Sequence, residues 1–248
     1  MPTYKKNFIS AVIFRVDFSP ILHLQEKISP DYQESIRDRF PKFEQRDVVE
    51  HTVHMADIEK KEEKVFYKEW SFYNMDKSIK VTAHYNWLAV EFFRYSTFPN
   101  FRETVAWVYE KFESFYKPLV CTRIGLRYIN SITLPEGHPL EWSNFLAEPI
   151  ACGIEKFPER EDLARAMSQF LLKRDDHAVL VNFGMPNREF PAKISRKEFI
   201  LDLDCSTSDC ENREPLSSLN AFQIELEKIF ELSITDQLRN IMEVIDEG

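Results

Sequence analysis

The chain has 248 residues, 44% of them hydrophobic, which is enough apolar material for a sizeable core, and a single compact domain over 1–248 is expected. Only five glycines are present and GxGxxG, GxxxxGK[ST] and GxSxG are absent, which removes the usual dinucleotide, phosphate-loop and nucleophile-elbow classes. With 32 basic against 41 acidic residues the formal charge is −9, so generic nucleic-acid binding, which needs a basic surface to displace counterions, is disfavoured.

Residues 8–18 alternate as a strand, Phe8, Ser10, Val12, Phe14, Val16 and Phe18 against Ile9, Ala11, Ile13, Arg15 and Asp17. Ser29-Pro30-Asp31 supplies an N-cap, a proline at the first helical position and an acid in the first turn, predicting a helix to about Phe40 before Pro41. Strand patterns follow at about 49–57, 64–74, 78–84 and 87–95, with polar breaks at 59–63 and 74–77. Asn100 and Glu103 resemble a capping box opening a helix that presents Phe101, Val105, Val108, Phe112 and Phe115 on one stripe and stops near Pro118.

The order then restarts. A central strand over 121–133 precedes a turn, a short helical segment near Trp142–Phe145, and a predicted helix over 159–172 with Leu163, Met167 and Phe170 inward. Strands are expected at 177–184 and 198–205. A helix from about Ser218 should bury Leu219, Phe222, Leu226 and Ile229, and a last one, capped at Ser233 or Asp236, carries Leu238, Ile241, Met242 and Ile245. The fold class is therefore α+β: two strand-helix-strands-helix repeats, about 1–119 and 120–248, share a mostly antiparallel sheet with helices on one side. At the level of element order this is similar to the saddle of TATA-binding proteins, without implying DNA binding.

Candidate chemistry centres on Arg123-Ile-Gly-Leu-Arg-Tyr-Ile-Asn130. In a strand, Ile124, Leu126 and Tyr128 face the core, while Arg123 and Arg127 flank the bare backbone of Gly125 on the other side. Two guanidinium forks there could clamp a carboxylate or phosphate of an anionic small molecule. Asp202 and Asp204, two apart on a strand, could hold Mg²⁺ or Mn²⁺ or act as acid and base. If the strands adjoin, the same four residues could instead form a structural charge ladder. His51 and His54, three apart in a strand, point to opposite faces and are poor joint ligands, and His84 reads as a turn residue. The four cysteines, Cys121, Cys152, Cys205 and Cys210, have no metal-binding spacing and read as reduced thiols of a cytoplasmic protein, with Cys121 buried and inert. No long apolar run points to a membrane, and no cofactor is expected.

The aromatic set Phe66, Tyr67, Trp70, Phe72, Tyr73, Tyr85 and Trp87 suggests a protein interface, with Trp70, Phe72, Tyr85 and Trp87 as its candidates; base stacking, helped by Lys60, Lys61 and Lys64, is the remote alternative. These readings favour a non-enzymatic module binding a protein partner or itself, against an enzyme or binding protein for an anionic, phosphorylated small molecule, and lastly a nucleic-acid binder.

The motif Gly125-Leu-Arg-Tyr-Ile-Asn130 resembles that of a sporadically distributed prokaryotic family of about this length. Val12-Ile13-Phe14 running into Phe18-Ser19-Pro20, Phe40-Pro41, Tyr95 with Phe98, Leu201-Asp-Leu-Asp204 and Phe230-Glu-Leu-Ser-Ile234-Thr235 before Leu238 and Met242 extend the resemblance over nearly the whole chain. Gln223 stands where a histidine is expected in the family's penultimate helix, so a histidine-based mechanism does not carry over. The resemblance implies a patchily inherited accessory protein of mobile or defence-associated loci.

Overall fold

The computed structural model describes residues 3–56, 59–118, 120–208, 210 and 214–245, with side chains for these except 3 and 49–66. In chain order the elements are β1 (Thr3–Tyr4), β2 (Ile9–Phe18), a 3-10 turn, α1 (Pro30–Ile36), β3 (Lys42–Ala56), β4 (Glu59–Tyr73), β5 (Ile79–Ala83), β6 (Trp87–Phe92), α2 (Phe98–Tyr116) and β7 (Cys121–Thr133). Then come α3 (Glu148–Glu155), a second 3-10 turn, β8 (Ala166–Lys173), β9 (Ala178–Met185), β10 (Glu198–Thr207), α4 (Pro215–Ser233), α5 (Asp236–Met242) and β11 (Val244–Ile245). This is an α+β protein. Nine strands form a large antiparallel sheet in the order β3-β4-β5-β6-β2-β7-β10-β9-β8, and β1 pairs with β11 apart from it.

The chain divides into two compact units, one of residues 13–125 and 208–219, the other of 1–12, 126–207 and 220–248, so two boundaries fall inside β2 and β7. In the first unit, alternation drives the inward residues of the strands into one core: Phe14, Val16 and Phe18 of β2, Val81 of β5, Val90 and Phe92 of β6 and Ile124 of β7 are buried. Helix α2 starts at Thr97, whose side chain accepts from the Asn100 backbone N–H, one turn before the predicted Asn100 cap. It stops at Lys117, which is left-handed at φ 43° just ahead of Pro118. Its stripe Phe101, Val105, Val108 and Phe112 is buried; Phe112 meets Phe18 and the α1 residue Tyr32. Ser29 caps α1 as expected, but the helix ends at Ile36 and turns carry the chain to Phe40. The predicted break at 59–63 is absent: β3 and β4 form a long hairpin from the pair Lys42 and Tyr73 out to Ala56 and Glu59. Long-range ladder pairing overrides the local polarity of the segment.

In the second unit, Val179, Val181 and Phe183 of β9, Phe199, Leu201 and Leu203 of β10 and Leu219, Phe222, Leu226 and Leu238 are buried as their spacing predicts, while Ile229 is half-exposed. One segment corrects the sequence reading. The predicted helix over 159–172 is a 3-10 turn at Arg160–Asp162 followed by β8, and Met167 and Phe170 are about half-exposed instead of inward. A run of Glu and Arg residues at 159–165 has helical propensity, yet Ala166–Lys173 gains a full ladder with β9, which propensity cannot match. The helix lies earlier, at α3, with Pro149 in its first turn, and Trp142–Phe145 is a single turn.

Candidate functional site

On β7, alternation buries Ile124 and Leu126 and sends Arg127 to the opposite face, where β10 presents Asp202. The guanidinium makes a two-pronged pair: Nε donates to Oδ1 and Nη2 to Oδ2 of Asp202, both at 2.7 Å. Asp202 lies opposite Asn182 of β9, and Asn182 opposite Gln169 of β8. Asn182 Nδ2 donates to Asp202 Oδ2 at 3.3 Å, and Gln169 Nε2 donates to Asn182 Oδ1 at 2.7 Å. A polar row thus crosses four strands, anchored by one ion pair. The Asp202 hydrogen bond pushes the Arg127 guanidinium above its ordinary value, with the charges of Asp202 and Asp204 adding to it and partial burial opposing. Asn130, buried on the other face of β7, donates to the Leu201 carbonyl at 3.1 Å and fastens the two strands once more.

Chemically this row is committed to structure. Nε and Nη2 of Arg127 and both oxygens of Asp202 are engaged with each other, so an incoming anion or cation has to displace the partner already there. Among the described residues no group of three or more His, Cys, Asp or Glu side chains gathers to hold a metal ion, which leaves the Asp202 and Asp204 pair without further ligands of that kind.

In the first unit the other arginine has a different setting. Asp17 accepts from Arg15 Nε at 2.9 and 3.1 Å, and Arg123 Nη1 lies 3.7 Å from it. The Arg15 guanidinium lies 4.5 Å above the Trp87 ring. Gly125 does not hold open backbone for a ligand: a Cβ there would come within 2.8 Å of Arg123 Nη1, so Arg123 itself lies over the glycine. Beside Trp87, the His84 ring is stacked at 5.1 Å, with its Nδ1 2.6 Å from Asn86 Oδ1. His84 is buried, not the part-exposed turn residue expected, because Tyr67, Tyr85 and Trp87 surround it.

The four aromatic candidates separate. Trp70 and Phe72 are 4% and 0% exposed and belong to the core, a correction to their reading as interface residues; Trp70 Nε1 donates to the Leu24 carbonyl at 2.9 Å. Tyr85 and Trp87 remain half-exposed. The side chains of His51, His54, Lys60, Lys61, Lys64 and Phe66 lie outside the described residues.

The cysteines are free. Burial, then a hydrogen bond with Cys210, pushes the Cys121 thiol up to about 12, and burial raises Cys205 further, so neither supplies a thiolate at neutral pH. Sequence reasoning missed Arg15 and Asp17 as partners of Arg123, although the alternation of β2 already placed them on one face. It missed Gln169 because that segment was read as helix. No protein-family model and no curated protein matches the sequence.

Proposed function

We propose that the protein is a non-enzymatic binding or assembly module that uses an edge of its antiparallel sheet to engage a protein partner or itself. The observation that carries this reading is β8. It ends the sheet, and Met167, Phe170 and Leu171 on it are 47%, 48% and 68% exposed. An edge strand that keeps large apolar side chains in water is stabilised by covering it. The tie between Arg127 and Asp202 supports the same reading, since the groups best suited to chemistry hold strands together.

We also infer that the chain is a duplicated strand-helix-strands-helix unit with a TATA-binding-protein-like element order. In support, each half opens on a long strand, β2 or β7, and passes through short helical pieces and antiparallel strands to a 19-residue helix, α2 or α4. Four free thiols fit a cytoplasmic location, and the resemblance in the central motif fits an accessory role in a mobile or defence-associated locus. Among the described residues no helix is long and apolar enough to cross a membrane.

The test is affinity purification of the tagged full chain from cells expressing its neighbouring genes, with chemical cross-linking before lysis. A stoichiometric protein species, another chain or a second copy, is the expected result. A chain that cross-links to nothing and elutes as a monomer overturns the module reading.

A further inference from the structure

The two edges of the sheet are built differently. The described side chains of β3 include Lys42, Glu44, Arg46 and Asp47, charges of the kind that keep an edge from pairing with another chain. On the other edge, β8 reads Ala-Met-Ser-Gln-Phe-Leu-Leu-Lys: seven residues with no charge, no proline and no glycine before Lys173. Met167 and Leu171 point to one face and Phe170 to the other, where it meets Phe183 at 5.0 Å yet stays half-exposed. Both faces of the edge are therefore apolar.

We propose that β8 pairs antiparallel with β8 of a second copy of this chain, joining two sheets across a two-fold axis. This deepens the module reading, on which it rests, by naming the partner. Symmetry restricts the register. A two-fold axis normal to the sheet keeps each residue on its own face, so it must pass beside a residue rather than between two. Centred on Gln169, the pairing sets Arg165 opposite Lys173 of the other copy, like charges in direct opposition. Centred on Phe170, it sets Arg165 opposite Asp175, both exposed, and brings the two Phe170 rings together at the axis. In that register Gln169 faces Leu171, Ser168 faces Leu172 and Met167 faces Lys173, so no like charges oppose each other between Arg165 and Asp175. Charge complementarity and aromatic pairing select the same alignment. The free backbone groups of the edge gain partners, and a chain of net charge −9 meets its copy along its uncharged strip.

The experiment is sedimentation equilibrium of the purified full-length protein, compared with Leu171→Lys, Arg165→Asp, Asp175→Arg and the double charge swap, with melting temperatures as the check on folding. The wild type is expected to be a dimer. Each single variant should weaken it by about tenfold or more, because the two-fold repeats every change twice, and the double swap should restore it. A wild type that stays monomeric at every concentration overturns the pairing, as does a dimer that no variant weakens or a double swap as weak as its parents. A monomer that still cross-links to a different protein in cells overturns this pairing while the module reading stands; a monomer that cross-links to nothing overturns both.

Discussion

Strands β7 and β8 belong to one sheet and use the same alternation of side chains to opposite ends. On β7 every side chain from Ile124 to Ile132 is buried or half-buried, and Arg127 is held by Asp202 in a two-pronged bond. On β8 seven of the eight residues lack charge, and the large apolar ones stand in water. A strand between two neighbours can place a charge on its outer face because the next strand offers a counter-charge at fixed spacing. A strand at the edge has a neighbour on one side only, and what it leaves exposed is open to another chain.

The largest blow to this contrast falls at Gly184, at φ +141° on β9 opposite Met167, where a Cβ would come within 2.1 Å of the Ala166 carbonyl oxygen. Gly184→Ala should cost about 3 kcal/mol or more and detach the start of β8, seen as a lower melting temperature and rapid amide exchange over 166–168. Arg127→Ala comes next. It strips the buried Asp202 of its main counter-charge, leaving the Asn182 amide, and should cost about 2 kcal/mol in urea unfolding. An anion-binding role would instead leave the unfolding midpoint nearly unchanged. Asp202→Ala should cost rather less, because the exposed part of Arg127 reaches water.

Gly125→Ala sharpens the comparison from the other side. Its new Cβ meets only the far end of the flexible Arg123 side chain, which can swing away, so the unfolding free energy should shift by no more than about 0.5 kcal/mol. The smallest effect lies away from both strands, at the turn joining β4 and β5. There the Ser78 hydroxyl, its backbone N–H and Arg94 hold the Asp76 carboxyl below its ordinary range. A depressed carboxylate stabilises the turn above its unfolded pKa, and that contribution is lost as pH falls through the lower folded value. The Ser78 amide resonance should therefore shift only in strong acid, and Asp76→Asn should abolish the shift.

Much of this was legible in the residues. The alternation of 8–18 and 121–133 gave β2 and β7 nearly to the residue, and helical spacing gave the buried stripes of α2 and α4. The placement of Arg127 on the face away from Ile124 and Leu126 followed from period two alone, but its partner did not, because which strand adjoins β7 is a matter of long-range pairing. The segment 159–173 shows the limit most clearly. Its glutamates and arginines favour helix, its apolar residues fit either period, and only the ladder with β9 decides. Gly125 drew attention because it separates two arginines, whereas Gly184, where the close approach of Ala166 excludes any side chain, carries no local signal at all.

The most direct test of the account is native mass spectrometry of the protein purified gently from cells that express its neighbouring genes. The account predicts a protein assembly, a dimer of this chain or a complex with another, that Leu171→Lys weakens while leaving the melting temperature within a degree or two. A monomer carrying a small anion or a divalent metal, lost on Arg127→Ala or Asp202→Ala without loss of stability, would contradict it and make the Arg127 and Asp202 row a ligand site.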